Sequence, residues 1–568
     1  MRIGQDRKRQ GVWPLLAAAL ALVGAGGLSG CGNQSQNQAG KAAKEITPGE
    51  FQLLTQGEQA RYRNVVLRVP ASWGGVLLPF DSGPYKTPLE KTIHSGDLIT
   101  LMGLYNQSLF ELKHPRVRME YINFDMWSDN YKSALAVAIN SRHAPAYYIA
   151  RDVPQTIEQG LYADLTPLMQ KWDQAKMQPE ASVHEGTLNG HIYTLAANEL
   201  SAVVIRYRKD WFREAGIFNE YGEPGPRSDW TWEDFRAACK KLTNPAKKRF
   251  GFAYEMSDFL FNNAHGLRLY VPDLTGKHTW RFNADDPLVL ESLKNAREMV
   301  NVDKSVNTTV SMGWFEYHQE FDASHAAMIV SWAAHLPAES LENPLKFGPD
   351  KPFAQTVGMV TTPGDATGLR TLLPMTNLIG FDPTLTPEQL EVAFEWVKEW
   401  FYGDVFLNNM RAQAQQSKAL GKRNSIYATL LTLPYKPKEN LLDKPLSQVF
   451  PPDYIRLYDA LHTAPAPPLP RQFGLREPPT NEFNRAVKAM YSEAITGDGD
   501  LKALIAKHAS LINTTLLDFG GPQDRSKTQQ FYTALADFYR QHYPRFYQEK
   551  WLPRNRQYLP AGAQMAKR

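Results

Sequence analysis

Side chains whose types could recognise a polar ligand are spread along the 568-residue chain, among them Trp73, Tyr148, Arg151, Asp152, Glu199, Asp258, Phe259, Trp314, Trp332 and Asn377. Flat aromatic faces stack on the C–H faces of a sugar ring, and carboxylate, amide and guanidinium groups bind its rim of hydroxyls. Trp73 stands just beyond a strand signal, and Trp332 follows the apolar run Ala326–Ser331. A tryptophan at an arbitrary position is more often partly buried core than a ligand platform. Tyr148, Arg151 and Asp152 flank the end of another strand, where an exposed charged loop is an equal reading. Glycosidase chemistry needs two carboxylates at a fixed separation; Glu199, Asp152 and Asp258 are available, but no spacing marks a catalytic pair. The chain has no G-x-S-x-G, H-E-x-x-H or P-loop motif, and histidines such as His184 and His191 are scattered. These features favour binding over catalysis and imply neither a metal nor a cofactor.

The N-terminus sets the compartment. Arg2, Arg7, Lys8 and Arg9 precede an apolar run from Val12 to Val23, followed by small residues to Gly30. That is the order of a secretion signal, and the run is too short to span a bilayer, which takes about 20 apolar residues. Leu28-Ser29-Gly30-Cys31 then resembles the bacterial lipobox, implying cleavage after residue 30 and acylation of the Cys31 thiol. Residues 32–49 are rich in Asn, Gln, Gly and Ala and read as a flexible tether. Only Cys239 would then remain, which excludes a disulfide framework; its helical surroundings predict a buried small hydrophobe. The formal charge of +4 falls to +1 once residues 1–30 are removed, so nothing argues for nucleic acid.

These ligand candidates need a scaffold. Strands are predicted near 64–70, 116–124, 146–150, 203–207, 326–331 and 357–360. Helices are predicted over 98–114, 127–140, 153–160, 210–215, 387–402, 481–496 and 500–516. Thr231 with Asp234 forms a capping-box pattern. Strands alternating with helices predict an α/β protein with a parallel-rich sheet. Pro-rich stretches at 433–438 and 464–470 read as surface excursions or inserts. In residues 518–568, Phe531, Tyr532, Phe538, Tyr539, Tyr543, Phe546 and Tyr547 suit a helical extension packed along one face.

Four stretches, in order, resemble the family 1 extracellular solute-binding proteins, the group of the maltose-binding protein. They are Ser108–Glu120 (SLFELKHPRVRME); Ala144–Tyr148 with Glu158–Leu165 (EQGLYADL); Asn189–Leu195 with Arg206–Gly216 (RYRKDWFREAG); and Phe321–Met328 with Trp332. Two departures stand out. Met375-Thr376-Asn377-Leu378-Ile379-Gly380 lacks the tryptophan of many relatives, and Asn484 lies where the maltose-binding protein has an aromatic, so maltose itself is not the expected ligand.

The resemblance implies a two-lobed periplasmic-binding-protein fold of class II type, with a hinge of several crossings, a ligand cleft between lobes and here a helical C-terminal extension. Its expected parts are a signal peptide at 1–30 and a lipidated tether at 31–60. An N-terminal lobe follows at 61–198 plus 374–415, a C-terminal lobe at 199–373 plus 416–516, and the extension at 517–568. The first crossing is expected near Ala197–Ser201, the return near Thr371–Thr376 and the last near Gln413–Ala419. The implied function is a monomeric, membrane-anchored receptor in the periplasm or at the cell surface. By the same resemblance its ligand contacts are expected at Trp73, Tyr148, Arg151, Asp152, Glu199, Asp258, Phe259, Trp314, Trp332 and Asn377, and it would bind an oligosaccharide and deliver it to an ABC permease and, through it, an ATPase. A peptide, a polyol, a sensor role or a cleft glycoside-active enzyme are the alternatives.

Overall fold

The protein is described by a computed structural model covering residues 65–70, 85–86, 92–93, 110–111, 114, 116–402, 406, 426–434 and 444–560, less 123, 125–130, 152, 198, 254–258, 308–313, 371, 479 and 518–523. Its contacts divide the chain into two units. The first comprises 1–149 with 381–426, and the second 150–380 with 427–568, so the backbone passes between them three times.

In the first unit β1 (Val65–Pro70) runs parallel to β2 (Val117–Ile122), with Val65 opposite Val117. Val65, Leu67 and Val69 alternate inward, the period-2 pattern of a half-buried strand. The helix Tyr131–Asn140 leads to β3 (Tyr147–Ile149), whose entry is fixed by the Ala146 N–H donating to Arg68 O at 2.6 Å. The helix Pro387–Phe401 packs on β1; its Trp396 lies edge-on to Phe110 and donates from Nε1 to the Tyr147 hydroxyl at 3.3 Å.

The second unit begins with the short strand β4 (Thr194–Ala196). Its four-stranded sheet is built from β5 (Val203–Arg208), β6 (Phe250–Ala253), β9 (Ala326–Trp332) and β10 (Val357–Thr361), in the order β6-β9-β5-β10. Two further strands, β7 (Tyr270–Pro272) and β8 (Trp280–Phe282), make a hairpin, and β11 (Leu378–Phe381) pairs antiparallel with β4. The parallel-rich expectation is corrected here. Within this four-stranded sheet, among the described residues, only β6 and β9 are parallel, whereas β5 runs antiparallel to both β9 and β10. Helix–strand alternation along a sequence cannot reveal that a strand enters its sheet from the opposite edge.

The capping box forms as expected: Thr231 Oγ1 accepts from the Asp234 N–H at 3.2 Å, and the Asp234 carboxylate accepts from the Thr231 N–H at 2.9 Å. The helix it starts buries Phe235 and Cys239 in a core with Phe252, Met328 and Tyr491. Burial pushes the Cys239 thiol well above its usual range, in keeping with an inert core residue.

The C-terminal helix Arg525–His542 buries Phe531, Tyr532 and Leu535 against Trp280, Leu369 and Leu475 of the same unit. This packing also corrects the reading of 464–470 as a surface excursion. Ala466 and Pro470 are buried, and Phe473 just beyond meets Phe531 with ring centroids 5.8 Å apart. A Pro-rich stretch cannot announce the distant helix that covers it.

Candidate ligand-binding site

In β9 the run AAMIVS is buried throughout, and burial relaxes only at Trp332, so the indole emerges at the strand end. Trp332 is registered opposite Val203 at the start of β5. Immediately before β5, residues 197 and 199–202 form a seam to which several segments of the second unit are fastened. The Ala197 N–H donates to Asn377 O at 2.7 Å, and Ser201 and Met375 exchange backbone bonds of 2.8 Å. Leu200 N–H donates to Thr432 O at 2.6 Å and Ala333 N–H to Ala202 O at 2.9 Å, while the Ala334 N–H reaches Ser201 Oγ at 3.1 Å. These bonds set Glu199, Trp332 and Asn377 on adjoining segments at the ends of β4, β9 and β11. Arg151 is one segment further along: the neighbouring Ala150 N–H donates to Leu378 O at 2.7 Å, and the Arg151 side chain is exposed.

The electrostatics of the seam are unusual. Glu199 is partly buried, and its carboxylate accepts no hydrogen bond among the described residues; desolvation pushes its pKa up to about 7. The hydroxyl of Tyr458, on the helix Pro452–Thr463, is buried and without a hydrogen-bond partner among those residues. Burial, followed by the charge of Glu199, raises the Tyr458 hydroxyl well above its ordinary value, which places the two groups within electrostatic reach. An aromatic face, an unbonded carboxylate and an amide held on a fixed backbone can stack on and hydrogen-bond a polyhydroxylated ligand.

The remaining expected residues lie elsewhere. Tyr148, on β3 of the first unit, is fully buried. Phe259 begins the helix Phe259–Ala264 and lines a separate aromatic pocket with Trp232, Phe235, Phe252 and Met299; Glu199, Trp332 and Asn377 do not line it. Trp314 opens the helix Trp314–Asp322. Trp73, Asp152, Asp258 and the acylation site Cys31 lie outside the described residues. Sequence reasoning missed Tyr458, whose spacing with Tyr454, Leu457 and Leu461 reads as an ordinary core stripe, and also Ser201 and Thr376. Thr376 Oγ1 lies 3.0 Å from Ser182 Oγ. Among the described residues, no group of three or more His, Cys, Asp or Glu could hold a metal ion, and no helix is long and apolar enough to cross a membrane.

The model of the bacterial extracellular solute-binding protein family matches residues 104–381. A Streptomyces antibioticus protein described as an uncharacterized lipoprotein in the oleD 5' region is 27% identical over 207 residues, 35% of this chain; the match spans 43% of that relative's length. Among solved structures, an ABC substrate-binding protein from Listeria monocytogenes in complex with cycloalternan is similar with a TM-score of 0.50 and 20% identity, over 73% of this chain and 95% of that one. A solute-binding protein of an ABC transporter from Thermotoga lettingae, bound with alpha-D-tagatose, has a TM-score of 0.50 and 15% identity, over 80% of this chain and all of the other. Both share the two-lobed solute-binding fold. Residues 104–381 of this chain thus match the bacterial extracellular solute-binding protein family, and the fold is similar to that of the two solved solute-binding proteins.

Proposed function

We propose that this chain is the lipid-anchored, extracytoplasmic binding component of an ABC importer, which captures a carbohydrate, most simply an oligosaccharide, and delivers it to the permease. The observation that carries the reading is the convergence of Trp332, Glu199 and Asn377 on one backbone seam of the second unit. A stacking platform beside an unbonded carboxylate is the combination that sugar rings require. Two proteins of similar fold are bound to cycloalternan and to alpha-D-tagatose, which supports carbohydrate as the ligand class. The lipobox-like Leu28–Cys31 and a lipoprotein relative support the anchor. Capture by closure of two lobes, as the family implies, would appear as a ligand-dependent fall in the radius of gyration.

The test is a thermal-shift and calorimetric screen of the chain from Lys41 onward against mono- and oligosaccharides, with polyols and peptides alongside. A saccharide should stabilise the protein, and Trp332→Ala should weaken that ligand by about 2 kcal/mol, or roughly 30-fold. Stabilisation by peptides alone would overturn the carbohydrate reading. Full affinity in Trp332→Ala would move the site elsewhere.

A further inference from the structure

The charge of the chain is unevenly distributed. Residues 524–568 carry nine Lys and Arg against three Asp and Glu, a net +6, whereas residues 31–523 carry −5. The structure turns this segment into an antiparallel pair. After the helix Arg525–His542 the chain reverses at Tyr543 and Pro544, and the return through residues 544–558 stacks Trp551 and Tyr558 on Tyr532, with centroids 6.3 and 4.7 Å apart. Because the inner face is occupied by aromatic packing, the cations are left outside: Arg525, Arg540, Arg545, Lys550 and Arg556 are all exposed.

The three carboxylates are already engaged. Asp524 caps the helix and lies 3.7 Å from Lys527, Asp537 pairs with Arg540, and Glu549 pairs with Arg545 at 2.8 Å. Arg525, Lys550 and Arg556 have no ion pair among the described residues. Between the charges, Phe538, Tyr543 and Tyr547 are half-buried, each offering part of a ring to solvent.

We propose that the outer face of this C-terminal pair docks on the anionic phospholipid surface of the membrane to which the chain is tethered. Cations within a Debye length of such a surface, ~8 Å at physiological ionic strength, are attracted to it, and partly exposed aromatic rings settle at the headgroup level. A protein partner fits less well, because the buried centre of a protein interface is depleted in Lys and built on continuous apolar area, whereas here isolated ring edges alternate with charge. The inference rests on the proposed anchoring at Cys31. The stretch 32–49, rich in Asn, Gln, Gly and Ala, would serve as the tether that keeps the face at high effective concentration beside the bilayer.

The test uses the chain from Gly32 onward, which carries no acyl group, in sedimentation with phosphatidylglycerol–phosphatidylcholine vesicles and with phosphatidylcholine vesicles. Binding is expected to the anionic vesicles only, weakening in high salt. The triple variant Arg525→Glu, Lys550→Glu, Arg556→Glu should lose on the order of 100-fold in partitioning while keeping its melting temperature. Absence of binding to anionic vesicles, equal binding to neutral ones, or an unaffected triple variant would each overturn the proposal. The anchor is tested separately, by incorporation of labelled fatty acid into the full chain and its loss in Cys31→Ala, so the two readings fail independently.

Discussion

Replacing Glu199 by Gln should make the second unit more stable at neutral pH, and the size of the gain follows from its surroundings. In an unfolded chain the carboxyl titrates near 4.5, whereas in the folded protein burial pushes it up to about 7. The folded form therefore holds its proton over a window in which the unfolded form has lost it. Stability falls as pH rises through that window, by about 1.4 kcal/mol per pH unit. Below pH 4.5 both forms are protonated and the cost vanishes; above pH 7 it is fully developed, at about 3 kcal/mol. Glu199→Gln carries no titrating group, so its unfolding free energy should match that of the parent near pH 4.5 and exceed it by up to about 3 kcal/mol at pH 8. Denaturant unfolding followed by tryptophan fluorescence across this range measures the difference. A gap between the two proteins that stays constant from pH 4.5 to 8 would refute the assignment of a desolvated, unbonded carboxyl. The same variant should lose affinity for any saccharide found in the screen, since a group retained at a stability cost is expected where function uses it.

Arg206 is buried and bonds Glu339 through both terminal nitrogens, at 2.8 and 3.1 Å. Burial works to raise the Glu339 carboxyl, but Arg206 and Lys346 outweigh it and hold it at about 2. Glu339→Gln should thus cost 3–5 kcal/mol at neutral pH, roughly the loss expected when one partner of a buried pair is removed. The deficit should shrink as pH falls from 4.5 towards 2, as acid unfolding curves would register. A Cβ added at Gly358 would lie 2.2 Å from Tyr207 Cζ in the central sheet, so Gly358→Ala should destabilise by about 1–3 kcal/mol, read as a lower denaturation midpoint. Trp551, buried against Tyr532, Tyr539 and Tyr547, holds the return segment to the helix Arg525–His542, and Trp551→Ala should cost about 3–5 kcal/mol and expose the return to limited proteolysis. Cys239 should react with a thiol reagent only at the rate of unfolding; immediate labelling of the folded protein would contradict its burial.

Much of this protein follows from local chemistry. Runs rich in β-branched residues located β1, β5 and β10, and the Thr231–Asp234 spacing located a helix start to the residue, because both depend on neighbours a few positions away. The order of the motifs around Phe110, Ala144, Arg206 and Phe321 carried the resemblance that the family match over 104–381 bears out, and the place of Trp332 at a strand end was legible from the apolar run before it. Other features depend on residues far apart in sequence. The antiparallel course of β5 depends on which edge it enters, and the burial of Ala466 and Pro470 depends on a helix beginning at Arg525. Tyr148 and Phe259 have the composition of ligand residues, yet one is sealed beside β1 and the other lines a separate aromatic pocket. Desolvation of Glu199 and its nearness to Tyr458 are likewise products of packing: a residue's type fixes what it can bind, but its solvation and its partners are set only once distant segments close around it.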